Sequence, residues 1–266
     1  LALPQSAPGS TSLITGASSG VGAEIARQLA ERGHNTVLVA RREDRLRELA
    51  QELSDTYGVR AETVGCDLAD AASREQMIAR VEELGLTVEV LVNNAGYGTG
   101  GPFVELPADR EIGMVRTNCE AVVHLLAVYA PQMAQRERGA ILNTASVAAF
   151  QPLPRQATYA ATKALVLSLS EALHAELQSV GVTVTALCPG PVRTEFIEVA
   201  QVEETLETTP GFVWINADQA ARAAIEGLEQ GRRVVVPHLP VQAVAIAGRH
   251  TPRSVLLRAL RRFYPV

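Results

Sequence analysis

The sequence predicts a three-layer α/β sandwich: a doubly wound parallel sheet of about seven strands, with helices on both faces. Three observations carry that prediction. Short apolar, β-rich runs alternate with longer amphipathic runs along most of the chain. The runs VLVNNA and GVTVTALC are apolar at successive positions, as a strand covered on both faces requires. The length of 266 residues suits one large α/β domain, and no repeat or low-complexity linker divides it.

The elements follow in order. Strands are predicted at Thr11–Thr15, Asn35–Ala40, Arg60–Cys66, Val88–Val92, Gly139–Thr144, Val182–Leu187 and Arg233–Val236. Between them EIARQLAERG, REDRLRELAQEL, SREQMIARVEEL and SLSEALHAELQSVG place apolar residues at i, i+3 and i+4, the spacing of a half-buried helix. Several of these close on glycine, as helix C-termini often do. A further helix is predicted over Ala217–Gln230. Residues 1–9 (LALPQSAPG) read as a disordered lead-in rather than a secretion signal.

Composition narrows the function. The net charge is −5, yet from Gly231 onward there are seven arginines and no acid, leaving residues 1–230 at −5 − 7 = −12. A body of that sign argues against nucleic acid as partner. No apolar run approaches the ~20 residues that span a bilayer. Cys66, Cys119 and Cys188 are odd in number, widely spaced and fit no metal site. They suggest a reducing, cytoplasmic setting.

At the first strand–helix junction stands SLITGASSGVGAEIA, with Gly16, Gly20 and Gly22 around Ser18, Ser19 and Val21. Glycines there allow a tight turn, close approach of backbone to a pyrophosphate, and a helix N-terminus facing the anion. The spacing G-x-x-x-G-x-G departs from the general G-x-G-x-x-G pattern, and a plain loop of small residues is the competing reading. At the end of the second strand, where an acid would bind an NAD ribose, the chain reads Val39-Ala40-Arg41-Arg42. Two guanidiniums suit a 2′-phosphate, so NADP(H) is the preferred coenzyme and NAD(H) the alternative. A simpler reading, that both arginines only open a charged helix, stays open.

Lys163 is the single lysine among 24 basic residues, and it follows Tyr159 by one helical turn in ATYAATKALV. Lowering a phenol from its reference pKa near 10 to about 7 takes ~4 kcal/mol. An ammonium ~4 Å away at an effective dielectric near 20 supplies about that much. The pair therefore reads as a proton-donating phenol tuned by a cation, with a chance surface pair as the alternative. Ser146, in INTASVAAF, follows a buried strand where ligands of open α/β sheets collect, so its hydroxyl could bond a substrate oxygen.

Together TGASSGVG, NNAG (Asn93–Gly96), Asn118, Ser146, Tyr159-x-x-x-Lys163 and PGPVRT (Pro189–Thr194) resemble the short-chain dehydrogenase/reductases over about residues 10–195. The resemblance implies a Rossmann-type domain spanning 1–266 and a catalytic set of Asn118, Ser146, Tyr159 and Lys163. Tyr159 would exchange the proton, Lys163 would tune it and hold the nicotinamide ribose, Ser146 would orient the substrate oxygen, and Asn118 would position a water. Asp67 would bind adenine, with Leu68 beside it. Asn93, Asn94, Ala95 and Gly96 would line the adenosine side. Pro189, Gly190, Val192 and Thr194 would embrace the nicotinamide. The turn residues Ser18 and Ser19 depart from members that carry a basic residue there.

By the same resemblance, about 195–215 is a substrate lid, with Phe196, Ile197, Phe212, Val213 and Trp214 as an apolar pocket wall. The segment 238–266 is read as a helical basic tail: Val255, Leu256, Leu260 and Phe263 share a face beside Arg253, Arg258, Arg261 and Arg262. Docking on the acidic body or covering the pocket is favoured over contact with an anionic membrane surface. The expected function is NADP(H)-dependent hydride transfer between nicotinamide and a medium-sized, hydrophobic small-molecule carbonyl or secondary alcohol, without a metal. The resemblance further implies a homodimer or homotetramer. A catalytically silent NADPH-binding regulator, a peripheral membrane or assembly protein, and a dehydratase or epimerase are the alternatives.

Overall fold

The computed structural model describes residues 3–200 and 210–263. Seven parallel strands form its main sheet in the order β3-β2-β1-β4-β5-β6-β9. They are β1 (Ser10–Thr15), β2 (Thr36–Ala40), β3 (Ala61–Gly65), β4 (Thr87–Asn93), β5 (Gly139–Thr144), β6 (Val182–Leu187) and β9 (Val234–Val235). The helices α1 (Gly20–Glu31), α2 (Glu43–Tyr57), α3 (Ala71–Glu83), α4 (Ala108–Val115), α5 (Ala121–Gln135) and α6 (Ala157–Leu177) connect them. After β6 come α7 (Phe196–Ala200), α8 (Ala217–Glu229), α9 (Leu239–His250) and α10 (Arg253–Phe263).

The sheet divides two apolar layers, and the strand residues alternate between them. Along β2, Val37 and Val39 join one layer with Leu125, Met133 and Val166, while Leu38 joins the other with Ile25, Leu29, Leu46 and Ile225. That alternation is the period of two expected of a strand, and both faces are dry because helices cover both. Strand order reverses beside β1, whose neighbours are β2 on one side and β4 on the other. Connections there leave in opposite directions and open a crevice at the strands' C-terminal ends.

Three features differ from the sequence expectation. The lead-in, expected to be disordered, is anchored at its start, where Leu3 and Pro4 are buried, and Gln5 accepts a hydrogen bond from Arg138 through its backbone oxygen; residues 5–9 are exposed. Leu3 belongs to the same buried apolar cluster as Ile25 and Leu29, and removing its side chain from water lowers its free energy. A small parallel pair, β7 (Val192–Arg193) with β8 (Ile215–Asn216), ties the two ends of the lid region together. Residues 201–209 of the predicted lid lie outside the described residues.

The tail is helical through Phe263 and docks on its own domain. Arg253 donates to the backbone oxygens of Phe150 and Gly248, and Arg249 and Arg233 approach Glu171 of α6 at 3.6 and 3.1 Å. Leu260 is buried and Leu256 half-buried, but Val255 is exposed, so the apolar face is narrower than predicted. An apolar groove of about 630 Å³ runs between α10 and the outer face of α6, bordered by Leu153, Ala161, Ala164 and Leu257. No helix among the described residues is long and apolar enough to cross a membrane.

Candidate active site

The crevice begins at the glycine turn. Gly16 and Gly20 hold φ of 67° and 58°, a region that L side chains rarely adopt. A Cβ on Gly22 would stand 2.4 Å from Asn94 Nδ2 and from the Gly16 oxygen, so only glycine fits. The turn delivers α1 with Ser19 extended at its N-cap, no side-chain cap and no acid in the first turn. First-turn N–H groups without a side-chain cap suit a pyrophosphate, and on this observation the site fits the dinucleotide that the resemblance implies.

Asn94 braces the turn. Its backbone N–H donates to Thr15 Oγ1 at 3.0 Å, its side chain to the Thr15 oxygen at 3.1 Å, and the Ala95 N–H reaches the same hydroxyl at 3.1 Å. Asn93, expected to line the adenosine side, instead faces inward: Nδ2 donates to Asn143 Oδ1 at 2.8 Å, and Asn143 in turn donates to Ser170. Asn93 is the last residue of β4, whereas Asn94 begins the loop that follows, and the two side chains find different partners. Asp67 is exposed and accepts from the Ala69 N–H, whereas Leu68 is buried. The Leu68 oxygen accepts from Arg74 at 2.7 Å; this nearly buried arginine also pairs with Glu120 and escaped the sequence reading.

Arg42 supplies the basic group that the turn itself lacks. Its guanidinium donates to Ser18 Oγ at 3.1 Å and Ser19 Oγ at 2.8 Å, and to Glu195 Oε2 at 2.8 Å. Arg41, beside it, is exposed.

Tyr159 and Lys163 lie on the buried face of α6 with Thr162, Val166 and Ser170. The Lys163 ammonium donates to the Thr144 oxygen at 2.8 Å. A Cβ on Gly96 would come within 3.3 Å of Lys163 Nζ and 3.0 Å of Asn118 Oδ1, so the loop after β4 passes directly over both. Ser146 caps the short helix after β5, accepting from the Ala148 N–H at 3.1 Å, and its hydroxyl lies close enough to the Tyr159 phenol to favour the ionised form. Asn118 sits in a π-helical turn, Arg116–Glu120, between α4 and α5. It accepts from the Tyr97 N–H at 3.1 Å and donates to the Tyr97 oxygen at 2.9 Å and to Thr162 Oγ1 at 3.1 Å. It thus acts first as a brace for the loop over Lys163.

Burial governs the titration of both groups. It pushes the phenol up to about 12, against the lowering effect of Ser146. It drives the Lys163 ammonium down to about 8. The attraction of a cation for a phenolate, taken alone, predicts a lowered phenol. Desolvation of the charged forms is the larger effect inside the protein.

Across the crevice, Thr194 stands against the turn: a Cβ on Gly20 would lie 3.1 Å from its methyl. Pro189 is buried, and its oxygen accepts from the Val147 N–H; Gly190 packs beneath Val241 of α9; Val192 opens β7. Phe196 packs on Tyr159 with ring centroids 5.5 Å apart. Ile197 and Val213 are half-buried. Phe212 is 66% exposed, and the Trp214 ring stacks under Arg193 at 5.3 Å. All three cysteines are free and buried, with thiols raised by burial, which makes them poor nucleophiles. No cluster of metal-ligating side chains occurs among the described residues.

This geometry accords with the known proteins the chain matches. A family model described as short chain dehydrogenase matches residues 10–205. A short-chain dehydrogenase from Sphingobium yanoikuyae, solved in complex with NADPH, is 36% identical, with 95% of this chain and 97% of that one covered and a TM-score of 0.80. A bulky-bulky ketone specific alcohol dehydrogenase from Comamonas testosteroni is 32% identical, with 96% and 93% covered and a TM-score of 0.76. A very-long-chain 3-oxoacyl-CoA reductase from Anas platyrhynchos is 32% identical, with 96% of this chain and 83% of the relative covered.

Proposed function

We propose that this chain, which belongs to the short-chain dehydrogenase family, is an NADP(H)-dependent oxidoreductase interconverting an apolar ketone and a secondary alcohol. The observation that carries the reading is the convergence of Ser146, Tyr159 and Lys163 at the end of β5, beside the uncapped start of α1. Similarity to the NADPH-bound Sphingobium structure supports the coenzyme, as do Arg42 at the glycine turn and the absence of an acid at Ala40–Arg42. Similarity to the Comamonas enzyme, and the Phe196 ring against Tyr159, support an apolar ketone.

The first-turn amides of α1 and Arg42 would hold the phosphates, Thr194 and Gly190 would flank the nicotinamide, and Lys163 would hold its ribose. When bound, the nicotinamide supplies or accepts the hydride. Everything else is the work of this chain's side chains. A phenol held at about 12 keeps its proton at neutral pH, so Tyr159 is neutral and has a proton to donate to a carbonyl oxygen. Ser146 orients that oxygen. Lys163, cationic at pH 7, stabilises negative charge as it grows on the phenol oxygen during transfer. Phe196 shields the phenol from water.

Assembly as a homodimer or homotetramer belongs to the same reading, given the exposed Ile112, Val115, Val123 and Leu165 on α4, α5 and α6, and light scattering reads it directly. The activity itself is tested with a panel of ketones and secondary alcohols, followed by NADPH absorbance with NADH in parallel. Turnover of bulky ketones with a higher kcat/KM for NADPH is the expected result. Coenzyme binding without turnover of any panel member would favour the silent regulator.

A further inference from the structure

Glu195, the residue after Thr194, reaches back across the mouth of the glycine turn. Its Oε2 accepts from Arg42 Nη1 at 2.8 Å and its Oε1 from Arg45 Nη1 at 2.5 Å. The same Arg42 guanidinium holds Ser18 and Ser19 of the turn. Three segments therefore close on one carboxylate: the turn, the start of α2 and the start of the lid. An exposed ion pair alone would carry little meaning. This one engages both carboxylate oxygens, uses the guanidinium nearest the coenzyme turn, and sits one residue from Thr194, whose methyl touches that turn.

We propose that Glu195 is a specificity-determining residue, whose carboxylate is the anion that a coenzyme 2′-phosphate must displace from Arg42 and Arg45. This rests on the NADP(H) reading above and deepens it. A phosphate dianion matches two guanidiniums and two serine hydroxyls better than a carboxylate does, and so can exchange with it. A 2′-hydroxyl carries no charge and leaves the Arg42–Glu195 strap closed. Hydrogen bonds from Arg45 and Arg42 hold the Glu195 carboxyl at about 2, so it stays ionised across the neutral range. Protonation therefore does not open the strap; a competing anion does. Glu195 lowers the affinity for NADP(H) by the free energy of that exchange and leaves NAD(H) binding nearly untouched.

The test is calorimetric titration of the wild type, Glu195→Gln and Glu195→Ala with NADPH, NADH and 2′,5′-ADP at one fixed salt concentration. Both variants are expected to bind NADPH and 2′,5′-ADP about ten-fold more tightly, equivalent to ~1.4 kcal/mol, with NADH changed less than two-fold. Unchanged or weaker binding of 2′,5′-ADP in the variants overturns the proposal, as does equal tightening of NADH. The wild type alone reports on the underlying reading: if it binds NADH as tightly as NADPH, NADP(H) preference fails, whatever the variants do.

Discussion

The Lys163 ammonium lies 5.8 Å from the centroid of the Tyr159 ring while it donates to the backbone oxygen of Thr144 at 2.8 Å. The cation is thus anchored to the end of β5, beside an aromatic ring whose hydroxyl keeps its proton. Burial, which raises the phenol and lowers the amine, opposes charge on either group. At neutral pH the phenol holds its proton firmly, whereas the ammonium, lowered to about 8, is cationic but sheds its proton more easily than a free lysine.

Replacing Tyr159 by Phe removes the hydroxyl but retains the ring that packs on Phe196 at 5.5 Å. Turnover should fall by about 10²–10⁴-fold. Coenzyme affinity and melting temperature should change little. Near-normal kcat in this variant would move proton transfer to another group.

Lys163→Met separates stability from function. Burial lowers the amine from 10.5 to about 8, so at pH 7 the folded protein carries a buried charge costing about 3 kcal/mol. Between about 8 and 10.5 the unfolded chain holds a proton that the folded one has lost, so this contribution to stability rises with pH. The variant should therefore melt higher than wild type at pH 7, with the difference closing as pH rises through that window, while turnover collapses. A lower melting temperature at pH 7 would show that the Thr144 bond outweighs desolvation.

Asn118→Ala leaves both the N–H and the oxygen of the half-buried Tyr97 without the partner that buried Asn118 supplies. Each unsatisfied group costs about 1–3 kcal/mol, so chemical denaturation should show a loss of about 3 kcal/mol. Asn118→Asp restores the acceptor for the Tyr97 N–H and should recover part of that loss. Stability equal to wild type in Asn118→Ala would contradict the bracing role.

Gly22→Ala drives a methyl to 2.4 Å from the Gly16 oxygen and Asn94 Nδ2. Backbone must move, and overpacking of this kind costs about 1–3 kcal/mol. Coenzyme affinity should drop more than about ten-fold as the turn shifts. Gly9→Ala, where a Cβ meets nothing within 4 Å, should be neutral in both measurements.

Much of this was legible along the chain. β5 and β6 occupy the predicted ranges Gly139–Thr144 and Val182–Leu187, and the remaining main-sheet strands differ by no more than one residue at either end. Tyr159 and Lys163 share a helix face because 3.6 residues per turn dictates it. The asparagines of NNAG are harder to tell apart in sequence: Asn93 closes β4 and bonds Asn143, while Asn94 opens the next loop and bonds Thr15. The lid was read as one apolar wall, but Phe212 is exposed and Trp214 pairs with Arg193.

The sequence by itself determined the alternating elements, the glycine turn and the spacing of phenol and amine, because these depend on hydrogen bonds and steric limits acting over a few residues. Only the tertiary structure decided that Glu195 meets Arg42 across 153 positions, that Leu3 is covered, and that burial raises the phenol instead of lowering it. Charge pairing and the exclusion of water are set by which distant segments pack together, and no local pattern carries that information.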